Sequence, residues 1–314
     1  MTELFAKILD GALAPEAIKT ALVEIADRGE TADEIVAAAR AMRARMITVP
    51  APDNAIDVCG TGGDGSHSLN ISTATALVVA ACDISMAKHG NRAASSKSGA
   101  ADTLEALGLD LAKAADNGAK NLREIGIAFF FAPNHHPALG PLAPIRKDIG
   151  RRTIFNLLGP LCNPARVRRQ LIGVASPDLV ETYAKAAAQL GYDKAMIVSG
   201  EEGLDELSIS GPSKVALVDG DTITISRITP EDVGLERHPA EAIKGGDAEY
   251  NAAALRQLLL GEKSAYRDAV LLNSAAALMV AGEVDNWEAG VEEATEALDK
   301  GLAKALLDCW IANQ

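Results

Sequence analysis

This chain has little with which to build cross-links, aromatic cores or a membrane span. Its four cysteines, Cys59, Cys82, Cys162 and Cys309, lie far apart and form no Cys-x-x-Cys pair. Such spacing argues against a disulfide framework and a structural zinc site, and free thiols suit a reducing compartment. Aromatic residues make up 4% of the sequence, so the core must come mainly from Ala, Leu, Val and Ile. The most apolar run, Ala76 to Cys82, is far too short to cross a bilayer. Met1 is followed by Thr-Glu-Leu-Phe, not by a basic segment leading into an apolar one, so no signal peptide is expected. Positive charge is also scarce: 30 Lys and Arg stand against 43 Asp and Glu, a formal net charge of −13. That balance disfavours broad contact with DNA, RNA or an anionic membrane, so neither nucleic acid nor membrane is expected as a partner. It does not disfavour a small anionic substrate, because local cations and metals set the potential inside a cleft. A cytoplasmic protein is expected.

What is present is an ordinary globular composition over 314 residues, with 48% apolar and 23% charged. Apolar residues recur at helical spacing through residues 2–48: Leu4, Ile8, Leu9; Ile18, Leu22, Val23, Ile25; Ile35, Val36, Met42. Thr31-Ala-Asp-Glu34 reads as a capping box, and Pro50 and Pro52 close the block. From Ala55 the pattern alternates. Strands are predicted at Ile56–Cys59, Ile84–Ala87, Ile127–Phe131, Ala195–Val198 and Val215–Val218. Helices are predicted at Ser72–Ala81, from Ala101 to Leu107, Pro177–Leu190 and Ala269–Ala281. Alternation of this kind implies an α/β fold with a largely parallel sheet covered by helices, and ligands beyond the carboxyl ends of its strands. The expected division is a helical domain over 1–50, with helices near 138–152 as candidates to pack on it, and an α/β domain over 51–314. The apolar excess of the first block suits a dimer contact.

Two glycine-containing loops follow the first two predicted strands: Gly60-Thr-Gly-Gly-Asp-Gly65, and Lys88-His-Gly-Asn-Arg-Ala-Ala-Ser-Ser-Lys-Ser-Gly99. Backbone N–H groups freed by glycine can cradle phosphate oxygens, and the second loop adds three cations and three hydroxyls. The pair suits a ligand with more than one phosphate. The first loop formally matches G-x-G-x-x-G, but a dinucleotide site wants an acidic residue ending the second strand, where Lys88-His89 stand instead. Ser66 to Thr73 is polar and leads into a helix start, where Ser72 or Thr73 suits either a cap or a ligand contact. Asp205-Glu206 follows a strand, as a carboxylate pair at a Mg²⁺ site would, although paired acids in loops are usually only solvated. His135 and His136 follow the Phe-rich strand, and Arg146, Arg151 and Arg152 are candidates to hold a carboxylate.

Taken in order, Gly60–Asp64, Asn70–Thr73, Lys88–Gly99, Arg152–Pro160 and Asp205-Glu206 resemble the anthranilate phosphoribosyltransferase family over nearly the whole chain. The resemblance implies a small helical domain joined to an α/β domain, usually as a homodimer. It implies transfer of ribose 5-phosphate from phosphoribosyl pyrophosphate (PRPP) to the amine of anthranilate in tryptophan biosynthesis, with pyrophosphate released. Carried over by position, Gly60, Gly63, Asp64, Ser68, Asn70, Ile71, Ser72 and Thr73 would contact PRPP. Lys88, His89, Gly90, Asn91, Arg92, Ala93, Ala94, Ser95 and Ser96 would continue that site. Ser72, Asp205 and Glu206 would serve Mg²⁺, while Gly60, Asn91, His136 and Arg146 would face anthranilate. This chain departs from the family pattern at Ala100, where Ser is usual, and at Cys162 and Ser68, where Thr is common. Rival readings are a pyrimidine nucleoside phosphorylase-like enzyme, whose chains are typically longer, and a non-catalytic nucleic-acid-binding relative, which should show a basic face.

Overall fold

The computed structural model describes residues 1–93 and 97–313. Three helices open the chain: α1 (Thr2–Leu9), α2 (Pro15–Arg28) and α3 (Ala32–Arg43). There follow β1 (Ile56–Gly60), α4 (Ile71–Ala80), β2 (Met86–Gly90), α5 (Ala100–Leu107), α6 (Leu111–Asp116), α7 (Gly118–Glu124) and β3 (Ile127–Phe131). Then come α8 (Ala132–His135), α9 (Ala143–Ile149), β4 (Arg169–Gly173), α10 (Leu179–Gln189), β5 (Lys194–Gly200), β6 (Ser213–Asp219) and β7 (Thr222–Ile228). Four helices complete the described chain: α11 (Ala248–Leu259), α12 (Ala265–Ala281), α13 (Trp287–Asp299) and α14 (Leu302–Ala312). Among the described residues no helix is long and apolar enough to cross a membrane.

The seven strands form one sheet in the order β3-β2-β1-β4-β5-β6-β7. The first five in that order are parallel, and β6 and β7 run antiparallel at one edge. Two strands carried too weak a sequence pattern to be predicted. In β4 the polar pair Arg169-Gln170 leaves only a short apolar run, Leu171-Ile172, before Gly173. β7 alternates Ile with Thr and Ser, the period-2 pattern of a half-exposed strand, and Asp219 pairs with Thr222 across a two-residue turn containing Gly220 at φ 56°. β2 begins two residues later than predicted and ends at Gly90, so Lys88 and His89 lie within the strand, paired with Phe129 and Phe130.

Side-chain alternation along the strands divides the core in two. Ile56, Val58, Leu171, Met196 and Val198 pack with α4 and with the helices α11 to α14. From neighbouring positions, Ile172, Ala195 and Ile197 pack on the other side with α1, α3, α10 and the segment containing Ile154, Phe155 and Leu158. The N-terminal helices are thereby fastened to the sheet through a shared apolar layer. The capping box forms as read: Thr31 Oγ1 accepts the Glu34 N–H at 3.3 Å, and Glu34 Oε2 accepts the Thr31 N–H at 3.1 Å. Arg28 adds a donor to Glu34 at 2.9 Å.

Because β1, β2, β4 and β5 are parallel neighbours, Gly60, Gly90, Gly173 and Gly200 end them along one rim. Thr31→Ala, far from that rim, is expected to lower stability by about 1 kcal/mol, read as a shift in the urea midpoint without a change in catalytic rate.

Candidate active site at the strand ends

The loop after β5 returns across the rim and lodges Asp205 against the backbone of β1 and β4. A Cβ on Gly60 or on Gly173 would overlap Asp205, so glycine at these two strand ends makes the contact possible. Asp205 Oδ2 accepts the Gly62 N–H at 2.7 Å, and Gly62 holds φ at 68°, a conformation that side chains disfavour. Glu206 is buried, and its Oε1 accepts the Ser72 N–H at 3.1 Å in the first turn of α4. The helix start thus holds one carboxylate while offering further backbone donors to an anion. Asn70, rather than Ser72 or Thr73, occupies the N-cap position.

These acids crowd one another. Burial, then the charge of Asp64, pushes the Asp205 carboxyl above its ordinary value; burial, then Asp205, does the same to Glu206. Asp64 Oδ1 accepts the Ser66 N–H at 3.2 Å, while its Oδ2 is buried without a hydrogen-bond partner among the described residues. A cation would suit such a group, which sits beside the Asp205 carboxyl. No three His, Cys, Asp or Glu side chains among the described residues already converge as a closed metal cage. An open set of carboxylates is what Mg²⁺ uses when substrate phosphates complete its shell, so the donors fit that ion.

Lys88 is buried, and its Nζ donates to the His89 carbonyl at 3.2 Å. It enters no ion pair among the described residues, so its ammonium is a reserve of positive charge beside the acids, drawing down Glu206. On the other side of β2, His89 Nδ1 lies 3.1 Å from the Gly159 carbonyl and its Nε2 lies 3.3 Å from His136 Nε2. A carbonyl only accepts, so Nδ1 of His89 carries its proton and His136 Nε2 donates to His89 Nε2. Burial pushes His89 down to about 3 and His136 down to about 4, which keeps both rings neutral near pH 7. His135 instead packs against Phe130 and lies 3.0 Å through Nδ1 from the Ile47 carbonyl.

A buried carboxylate that sequence reading did not single out supports this arrangement from below. Asp57, in β1, accepts the His89 N–H at 3.1 Å, Asn163 Nδ2 at 2.8 Å and Gln170 Nε2 at 2.9 Å. Gln170 Oε1 in turn accepts the Tyr192 hydroxyl at 2.9 Å. The legible signal was a charged residue inside an apolar strand segment, but its two side-chain partners lie at separations of 106 and 113 residues.

Asp102 anchors both ends of the second loop by accepting the Ala93 and Gly99 N–H groups at 3.0 and 2.9 Å. Arg92 leans onto the same helix, pairing with Asp102 and Glu105 and lying over Phe131. Its side chain is about half exposed. Asn91 Oδ1 accepts the Arg92 N–H at 2.8 Å. Ala94, Ser95 and Ser96 lie outside the described residues.

The three candidate arginines separate cleanly. Arg151 pairs with Asp27 and Arg152 with Glu30. Arg146, half-buried in α9, pairs with no carboxylate among the described residues; it reaches Asn156 Oδ1 at 3.5 Å, and burial pushes its guanidinium below the usual arginine value. Cys162 is buried in the apolar layer under α3, its thiol pushed up to about 12 by burial, so that departure sits in the core. Ser68 forms an isolated bridge with Lys244, and Ala100 is the first residue of α5.

The family described as glycosyl transferase family, a/b domain, matches residues 52–304. A protein of Novosphingobium aromaticivorans named anthranilate phosphoribosyltransferase is 62% identical over 308 residues, covering 98% of this chain and 93% of its own length. One of the same name from Sphingopyxis alaskensis is 60% identical, with coverage of 98% and 93%. The crystal structure of anthranilate phosphoribosyltransferase from Thermus thermophilus superposes with a TM-score of 0.94 at 42% identity, covering 99% of this chain and 93% of that one. The Saccharomyces cerevisiae enzyme in complex with PRPP and Mg gives 0.88 at 29% identity, covering 99% and 90%. With the glycine loops and the acidic pair gathered at one rim beside Lys88, and with identity sustained over nearly the full length, the chain belongs to this glycosyl transferase family, among its anthranilate phosphoribosyltransferases.

Proposed function

We infer that this enzyme transfers the 5-phosphoribosyl group of PRPP to the amine of anthranilate and releases pyrophosphate, a step of tryptophan biosynthesis. The observation that carries the reading is the meeting of Asp205 and Glu206 with the first loop and the start of α4, on the Gly62 and Ser72 N–H groups. Two excess carboxylates beside backbone donors and a buried Lys88 match a diphosphate that arrives with a divalent cation.

In this reading Gly60, Gly63, Asp64, Ser68 and Asn70 to Thr73 line the diphosphate end, with Lys88 to Ser96 continuing around the sugar phosphate. Asp205, Glu206 and Ser72 hold Mg²⁺, which when bound offsets charge on the pyrophosphate leaving group. The bond from the anomeric carbon to the pyrophosphate oxygen breaks with its electron pair leaving on oxygen, and the anthranilate nitrogen forms the new bond to that carbon. Positive charge builds on the ring carbon and oxygen on the way, as in glycoside cleavage. An alkylated aromatic amine is acidic, so its proton can pass to solvent without a dedicated strong base. The neutral His89–His136 pair gives anthranilate a fixed polar wall beside Asn91 and Gly60, and Arg146 takes the carboxylate by a charged hydrogen bond. Catalysis is then positioning and charge neutralisation. On the family resemblance we also propose a homodimer acting in the cytoplasm, with residues 1–50 as a small helical domain beside the α/β domain over 51–314.

Anthranilate fluorescence should fall on adding PRPP with Mg²⁺ and stay constant when the metal is chelated; consumption of thymidine with phosphate instead would refute the assignment. Arg146→Ala should raise the KM for anthranilate about tenfold to a hundredfold, the loss of one charged hydrogen bond, and leave that for PRPP nearly unchanged. Asp205→Asn keeps an acceptor for the Gly62 N–H while removing a repelled charge. A carboxyl whose folded pKa is raised weakens the fold as pH climbs above its unfolded value. The ligand-free variant should therefore melt about 2–4 °C higher than the parent, with the gain larger near pH 8 than near pH 4.5. It should also lose the thermal shift given by magnesium pyrophosphate.

A further inference from the structure

Asn70 stands at the N-cap of α4 but makes no side-chain hydrogen bond to the helix, unlike most Asn at that position. Its amide oxygen is occupied elsewhere. Oδ1 accepts the Thr103 hydroxyl at 2.5 Å and Asn251 Nδ2 at 2.8 Å, and the Asn70 carbonyl accepts the Tyr266 hydroxyl at 3.0 Å. Thr103 touches Ser98 at 2.9 Å, which ties the hub to the second loop.

The orientation of both amides follows from one backbone group. Asn251 is 2% exposed at the start of α11, and its Oδ1 accepts the Gly246 N–H at 2.8 Å. A backbone N–H can only donate, so the oxygen of Asn251 faces Gly246 and its NH₂ must face Asn70. Asn70 therefore turns its oxygen inward, and its own NH₂ is left on the opposite fork. There it has no partner among the described residues, and Asn70 is only partly buried. Gly245 fits beneath because its backbone lies on Ser68, where a Cβ would come within 2.7 Å of the Ser68 carbonyl oxygen. The Gly245 N–H also binds the His67 carbonyl at 2.7 Å, and the Leu69 N–H binds the Ile243 carbonyl at 2.8 Å. The 243–251 segment is thus strapped to the first loop on both sides of Ser68.

We propose that Asn251 is a positioning residue of this enzyme: without touching substrate, it locks the Asn70 amide so that Nδ2, a donor, faces the phosphates. The inference rests on the reading of Asn70 as a PRPP contact. Asn251→Asp preserves shape and the bond from Gly246 but puts an oxygen against Asn70 Oδ1. The Asn70 amide should then turn over and present its oxygen to an anion. Asn251→Ala removes a donor without inverting anything, and it leaves Thr103 in place.

The expected order distinguishes orientation from packing. Asn251→Asp should raise the KM for PRPP by about tenfold to a hundredfold, the loss of one hydrogen bond to a charged group. Asn251→Ala should raise it less, and the KM for anthranilate should stay within about threefold in both. If the alanine variant is as impaired as the isosteric aspartate or more so, or if neither changes the PRPP constant, the proposal fails. A measurement without turnover separates this from the activity itself. In the parent, the Asn70 side-chain amide ¹H–¹⁵N peaks, assigned by their loss in Asn70→Ser, should move on titration with magnesium pyrophosphate. They should not move in Asn251→Asp. Movement in the parent without anthranilate turnover would sink the activity and leave the positioning role standing; equal movement in both proteins would sink the role alone.

Discussion

The structure depends on one acidic residue pressed against the ends of two parallel strands, its carboxylate over Gly60 and its own main-chain carbonyl over Gly173. Asp205 can lie there only because β1 and β4 end in Gly60 and Gly173, whose missing side chains leave the space it fills. The Gly62 N–H then holds its oxygen. Once that loop is seated, Glu206 reaches the first turn of α4, and two acidic groups stand where a parallel sheet gathers its loop ends. The arrangement weakens the ligand-free fold, since the acids repel each other in a dry place, and in the proposed reading a cation bound with substrate would relieve them.

A second buried carboxylate is supplied with donors that the first pair lacks. Asp57 is fully enclosed but accepts three hydrogen bonds, from β2, from the 160s segment and from β4. Burial still pushes its carboxyl above the ordinary value, but Lys88 and these donors draw it part of the way back, and the network fixes the backbone of His89 on which the neutral imidazole pair depends. One acid joins the strands, while the other two have fewer donors and are proposed to take a cation. The difference lies in donors supplied, not in residue type.

The cations divide by the same criterion. Arg92, Arg151 and Arg152 have carboxylate partners on neighbouring helices, whereas Lys88 and Arg146 have none among the described residues. Burial makes an unpaired cation unfavourable unless something anionic arrives. In the proposed reading Lys88 and Arg146 take phosphate and carboxylate, while Arg151 and Arg152 brace the N-terminal helices.

Much of this was legible in the chain itself. Helical periodicity placed the N-terminal block, the Thr31–Glu34 pair placed a cap, and two apolar runs ending in glycine placed neighbouring loops at one rim; these are local patterns of a few residues. Lys88-His89 and Asp205-Glu206 were visible as candidates for the same reason. What the sequence left undecided is which polar groups find partners, because Asp57, Asn163 and Gln170, like Asn70 and Asn251, meet across separations of 106, 113 and 181 residues. β4 and β7 were hidden likewise, since a strand with few apolar residues is defined by its neighbours in the sheet. Local chemistry sets which groups can bind phosphate and metal; only the folded chain decides which of them remain unpaired, because hydrogen-bond satisfaction is a property of distant segments brought together.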